Sequence, residues 1–172
     1  MEARRRIFNR KLNVTASYQH GFNKRWVSAL PSRNLNILQQ VIAAKLNYRP
    51  SIRWQFQLEA ERGLDNDRKT VNPLRVNFWE LKPQIAFSLR SKARATANLS
   101  YLTVQEAENP GDRAIPFEMA RGKKPGDSWL WNFRFDYFIS QNVTINASYN
   151  GRRDAGTART IHLGKAEVRA FF

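Results

Sequence analysis

The 172-residue chain contains no cysteine. That excludes a disulfide scaffold, a cysteine-ligated zinc or iron–sulfur site, and a cysteine nucleophile. Its two histidines, His20 and His162, stand far apart and supply little material for a metal cluster. Long apolar runs are missing too: the longest, Val41–Ala44, has four residues, whereas a membrane helix needs about 18. The basic start at Met1–Arg10 is not followed by the apolar stretch and small-residue cleavage site of a signal peptide. Acids are scarce. There are 14 Asp and Glu against 29 Lys and Arg, a net charge of +15, and such a surplus points toward nucleic acid or an anionic surface.

What is present is enough for one domain with a core, since 42% of residues are hydrophobic, too many for a disordered tail. These residues alternate. Over 129–139 one side reads Trp129, Trp131, Phe133, Phe135, Tyr137, Ile139, and the other Leu130, Asn132, Arg134, Asp136, Phe138. Val143–Gly151 separates Val143, Ile145, Ala147 and Tyr149 from Thr144, Asn146, Ser148 and Asn150 in the same way. A helix, with its period of about 3.6, would mix these sets, whereas a strand keeps them apart.

The pattern predicts eight strands, at 11–20, 36–48, 52–62, 74–90, 93–104, 128–139, 143–153 and 161–172. Most are near the 9–11 residues that cross a bilayer when tilted, and longer than the 5–6 typical of soluble sheets. Short turns (Arg49-Pro50-Ser51, Ser91-Lys92, Ser140-Gln141-Asn142) alternate with longer polar loops at 20–35, 63–73, 105–127 and 154–160. All the long loops therefore fall at one end of an antiparallel, up-and-down meander. Leu12–Tyr18 aligns without gaps on Val143–Tyr149, and Ala97–Tyr101 echoes both. A shared position just after a short turn accounts for that likeness without duplication. Pro83 interrupts the fourth strand and removes a ladder donor there.

Choosing one face per strand gives 44 positions, namely the even residues of 12–18, 38–48, 52–60 and 162–172 and the odd residues of 79–89, 93–103, 129–139 and 143–151. None carries a charge, although a quarter of the chain does, and 14 are aromatic. The opposite face has three aromatics, Phe78, Phe138 and Phe171. An eight-stranded barrel has room inside for side chains or one small ligand, not for this bulk. The face is therefore expected to point outward, into hydrocarbon. Tyr18, Tyr101, Tyr149, Trp79 and Trp129 fall toward the long-loop ends, and Tyr48, Tyr137 and Phe172 toward the short-turn ends. These are the two girdles that a transmembrane barrel places at its interfaces.

On these features the segment 11–172 resembles the outer-membrane β-barrel proteins of Gram-negative bacteria. Its last strand, Ala166-Glu167-Val168-Arg169-Ala170-Phe171-Phe172, has apolar residues at alternate positions and a terminal phenylalanine. The resemblance implies short periplasmic turns, long extracellular loops, outer-membrane lipid around the barrel, and Phe172 as a signal read by the barrel-assembly machinery. Ala170 stands where the family often has an aromatic.

The polar face carries Lys11, Lys45, Arg53, Lys82, Arg90, Arg94, Arg134, Arg152, Lys165 and Arg169, with Glu59, Glu61, Glu80, Asp136 and Glu167 as its acids. Lys45, Arg53, Lys82, Arg94, Arg134, Lys165 and Arg169 are the expected lumen-lining cations. They would form either a basic pore lining that attracts anions or a ladder of ion pairs that plugs a narrow barrel. The 105–127 loop is the expected constriction, plug or extracellular contact.

Two other functions fit parts of the pattern: a soluble up-and-down barrel holding an apolar ligand, and a basic nucleic-acid-binding β protein. The second needs aromatics and cations on one face, and here they lie on opposite faces. No catalytic fingerprint occurs, so neither an enzymatic role nor a cofactor is expected. Residues 1–10 read as a basic lead or the end of a preceding segment, because Ile7-Phe8 stands where Phe138-Ile139 stands before the matching strand. That likeness, the missing signal peptide and a polar face poor in large residues raise the expectation of a C-terminal piece of a longer barrel, whose remaining strands would pair with this one.

Overall fold

The structure, a computed structural model, describes residues 11–25, 34–68, 73–90, 92–108 and 114–171, together with the backbone of 2–7. It is an all-β, up-and-down antiparallel sheet. The strands are β1 (Glu2–Ile7), β2 (Leu12–Arg25), β3 (Leu35–Tyr48), β4 (Trp54–Asp67), β5 (Leu74–Leu89), β6 (Ala93–Glu108), β7 (Gly126–Phe138), β8 (Val143–Arg153) and β9 (Ile161–Ala170). Each pairs with its sequence neighbours in the order β1 to β9. Among the described residues no pairing joins β9 to β1, so the sheet is open at these two edges.

The eight strands read from the alternation are all there. One more precedes them: β1 pairs with β2 from Glu2 opposite Ser17 to Ile7 opposite Leu12. Three strands run further than the pattern alone indicated, with β2 reaching Arg25, β4 Asp67 and β6 Glu108. Polar residues hid these extensions, because alternation there no longer sorts apolar from charged. Pro83 is accommodated inside β5. It sits opposite Leu58 of β4, while the β5–β6 pairing passes from Leu81–Tyr101 to Gln84–Asn98 without a register change.

The pairing registers place all eight chosen faces on one side of the sheet. One row of directly paired residues runs Leu12, Tyr48, Phe56, Ile85, Ala97, Phe133, Tyr149, Gly164, every one from the uncharged set. The row is oblique to the sheet's rims. β2 begins on it at Leu12, whereas β9 continues past it from Gly164 to Ala170. Six residues of about 3.3 Å against seven spacings of about 4.8 Å give a slope of about 30°. At the other rim the shift is ten residues, or about 45° by the same measure. Strands of closed barrels tilt by about 35–45°, so the stagger, between about 30° and 45°, is compatible with a barrel wall. It also explains how Tyr48, beside a short turn, and Tyr149, toward a long loop, share one row.

Polarity reverses along the strands. In β5 the apolar face holds Trp79, Leu81, Ile85, Phe87 and Leu89, and nearer the long loops the same register holds Asn77 and Arg75. The other face of β5 does the opposite: Glu80, Lys82 and Gln84 give way to Phe78, Val76 and Leu74, all three buried. β6 repeats this, with Arg94, Asn98 and Ser100 followed by buried Leu102 and Val104. β3 joins them with buried Leu35 and Ile37. The expectation that the polar face lacks large side chains thus fails in its long-loop half, where these residues enclose Met119 and Ala120 in one cluster.

Gly63 opens space for that cluster, since a Cβ there would overlap the ring of Phe78. Gly63→Val should weaken the cluster by about 1–3 kcal/mol, read as faster proteolysis at 114–125. Gly151→Val is the control. Its Cβ would meet Trp131 on the apolar face, outside this cluster, and the 114–125 cleavage rate should stay at the parent value.

Candidate functional site

The site is the polar face together with the loop between β6 and β7. Instead of extending away from the sheet, residues 115–122 fold back across that face. From β6 the segment passes β5, β4 and β3 to reach β2, about 19 Å at about 4.8 Å per strand. Each strand contributes an attachment. Arg25 of β2 forms an ion pair with Glu118. The Gln39 side-chain amide of β3 donates to the Glu118 carbonyl at 2.9 Å. The buried Asp65 carboxylate of β4 accepts from the Ala120 amide at 2.7 Å. Arg121 forms ion pairs with Glu61 of β4 and, at 2.6 Å, with Glu80 of β5, and its guanidinium lies 5.5 Å from the Phe78 ring centre.

These attachments hold a conformation the segment would not choose alone. Ala120, Arg121 and Gly122 are consecutively left-handed, with φ of 47°, 56° and 71°. For Ala and Arg that costs about 1–2 kcal/mol each, and it persists because both are tied down: Ala120 through its amide, Arg121 through two carboxylates. Burial lowers the Arg121 pKa from its usual value, opposed by the negative charge of Glu59, and an arginine so placed keeps its proton.

Below the loop the expected lumen cations sort into three groups. Lys45 and Lys82 converge on an acidic cluster. Lys45 meets Glu59 at 3.5 Å, and Lys82 meets Glu59, Glu61 and Glu80 at 3.4, 3.3 and 3.1 Å. Ser100 donates a further 2.7 Å hydrogen bond to Glu80. Across the sheet Arg134 pairs with Asp136 at 3.2 Å, and Glu167 bridges Lys165 and Arg169 at 3.0 and 2.7 Å. Arg53 and Arg94 meet no described carboxylate at ion-pair distance. Between the groups lies an uncharged ladder in which Asn98 donates to Asn132 at 3.4 Å and Asn132 to Asn150. The ion-pair ladder therefore describes five of the seven residues, and an uncompensated positive charge describes two.

No family model matches the chain, and no curated protein matches it.

The expected girdle residues lie on the apolar face. Toward the long loops Trp79, Tyr101 and Trp129 form a chain of rings, with centres 5.0 and 4.3 Å apart, and the Tyr101 hydroxyl donates to Asp127 at 3.0 Å. Tyr18 shares the row of Trp79 through Ile42 and Arg62. Toward the short turns Tyr48 stacks near Phe56 and Tyr137 near Phe135, both at 6.4 Å. The Tyr149 hydroxyl and His162 Nδ1 are 2.7 Å apart. Phe172 lies outside the described residues.

Reading the sequence missed Arg121, Glu118, Asp65 and Gln39, although the loop itself was singled out. A signal was available. Leu74, Val76, Phe78, Leu102 and Val104 stand on the charged register of two adjacent strands and must be covered, and Ile115 and Met119 lie in the one long loop joined to β6.

Proposed function

We propose that this protein is an integral outer-membrane β-barrel protein of a Gram-negative bacterium, not an enzyme, whose polar lumen is a conduit capped at its outer mouth by the 115–122 segment. The single observation that carries this is the polarity reversal. A soluble barrel keeps one face apolar along its whole height. A wall that stands in lipid and then rises into water must exchange its faces at the boundary, apolar outside below it and apolar inside above it. β5 and β6 make that exchange at the level of Trp79 and Tyr101, where interfacial rings belong.

The dimensions agree. Trp79 to Leu89 spans ten residue steps, about 33 Å of strand, or about 25 Å of height at a tilt of about 40°, the height of a barrel's apolar band. The uncovered side chains agree as well: Tyr18, Ile42, Trp54, Trp79, Ile85, Phe133 and Tyr137 are each about 40% exposed or more, a patch far beyond what a soluble monomer leaves to water. Short turns would then face the periplasm and long loops the exterior. Lipid, and the assembly machinery during insertion, would be its partners.

Strand direction constrains closure. β1 and β9 run the same way, so their edges cannot pair antiparallel with each other. An antiparallel barrel needs an even number of strands: eight consecutive ones, β1–β8 or β2–β9, or all nine with an odd number from elsewhere.

Reconstitution in planar bilayers tests the proposal. Insertion with a measurable, anion-preferring current is expected, and failure to insert overturns it. Stable insertion without current would leave a membrane anchor and remove the conduit. The double variant Arg94→Gln/Arg134→Gln should lower the anion preference, and an unchanged reversal potential in a salt gradient would rule out the basic lumen.

A further inference from the structure

The sheet's two ends differ in charge. At the long-loop end acids and bases mix: Asp65, Asp67, Glu106, Glu118, Asp127 and Asp154 stand among the cations. At the short-turn end the three turns that join β1 through β6 hold no acid at all. Lys11, Arg49, Arg53, Arg90 and Lys92 are exposed there, and none meets a described carboxylate at ion-pair distance. Backbone bonds knit neighbouring feet together: the Arg49 amide to the Lys11 carbonyl at 2.8 Å, Ser88 to Arg53 at 2.8 Å and Phe138 to Lys92 at 2.9 Å. The cations thus form a collar under five adjacent strands, held by the main chain.

Within the collar is a cavity of about 630 Å³ lined by Ser51, Ile52, Arg53, Trp54, Ser88 and Arg90. One wall is apolar. Ile52 is fully exposed, and Trp54 is packed against Phe87 with ring centres 4.6 Å apart. The other wall is formed by Arg53, Ser88 and Arg90 of the polar register, so the cavity lies across the foot of the strands, where the two faces of the sheet meet. Ser51 is already occupied as acceptor for the Arg53 and Trp54 amides, each at 3.3 Å, which fixes the turn. Arg90 is held in the left-handed region at φ 39°, as a tight hairpin turn requires.

Two unpaired forked donors beside an apolar wall suit a phosphodiester that carries hydrocarbon. Free phosphate would leave Ile52 and Trp54 unused. We infer that this collar binds the headgroup of an anionic phospholipid, with Arg53 and Arg90 on the phosphate and Ile52 and Trp54 against the glycerol and upper acyl chains. The inference rests on the membrane reading, which sets the short-turn rim at headgroup depth.

The test uses vesicles of phosphatidylcholine doped with either brominated phosphatidylglycerol or brominated phosphatidylcholine. Quenching of Trp54 is isolated by difference against Trp54→Phe. Two cations near the surface predict a local enrichment of the anionic lipid of about thirtyfold. Arg53→Gln/Arg90→Gln should abolish the excess, and Arg153→Gln at the opposite rim should preserve it. Equal quenching by both lipids in inserted protein overturns this inference and leaves the membrane reading standing. No quenching by either lipid overturns both. Inorganic phosphate, compared with chloride at equal ionic strength, should not displace the lipid. If it does, the site binds free anions and the lipid assignment fails.

Discussion

Ile85→Arg should abolish membrane insertion, whereas Gln84→Arg, one residue away, should insert like the parent. Ile85 sits on the apolar face of β5, opposite Phe56 and Ala97 and 43% exposed. An arginine at the depth of a bilayer midplane costs a barrel about 2–4 kcal/mol, a large share of the 5–15 kcal/mol that holds a typical domain together. Gln84 faces the other way, paired with Gln57 and Asn98 on the polar face near Glu59 and Lys82. An arginine there meets water and a carboxylate. Flotation of the refolded protein with vesicles reads the difference. Equal behaviour of the two variants would mean that the sides of the sheet are not lipid and lumen, and the functional reading would fall with them.

Unseating the loop is the second large effect. Met119 is fully buried in the cluster with Leu74, Val76, Phe78 and Leu102. Truncating such a side chain to alanine costs about 2–5 kcal/mol. Met119→Asp adds the penalty of an unpaired charge in an apolar site, close to the buried carboxylate of Asp65, which already holds the Ala120 amide. The segment should leave the mouth while the nine-strand ladder stays intact. Expected results are rapid protease cleavage within 114–125, an unchanged strand signal in circular dichroism, and single-channel current several-fold above the parent. Arg121→Gln should act in the same direction by a smaller amount, because Glu61 and Glu80 keep Lys82 as a partner. A Met119→Asp protein that is cut at the loop and yet conducts like the parent would show that the segment does not obstruct the path.

Most of the sheet was legible in advance, because a strand's alternation is local. Trp129–Ile139 declares two faces without help from any other strand, and Ser140-Gln141-Asn142 declares a turn. The extensions to Arg25, Asp67 and Glu108 were not legible. Above the ring level the outer register becomes Arg62, Asn66, Asn77 and Arg75, and polar residues outside look like loop when the inner register is not known to be covered. The ion pairs were half legible: Lys45, Lys82 and Glu59 share a face by parity, but only pairing brings Lys82 level with Glu59 and within reach of Glu61 and Glu80.

The sequence by itself determined the all-β class, the direction of each strand, the uncharged face and the end at which the long loops lie. Each follows from period-two spacing and turn composition within a few residues. Only the tertiary structure decided the oblique stagger of the rows, the apolar cluster on the polar face near the long loops and the course of residues 115–122 across that face. Those depend on contacts between distant segments, such as Arg25 with Glu118, 93 residues apart, and Asp65 with Ala120, 55 apart. No local pattern encodes which strand a loop returns to. That is settled by where buried apolar area and unpaired charges can all be satisfied at once.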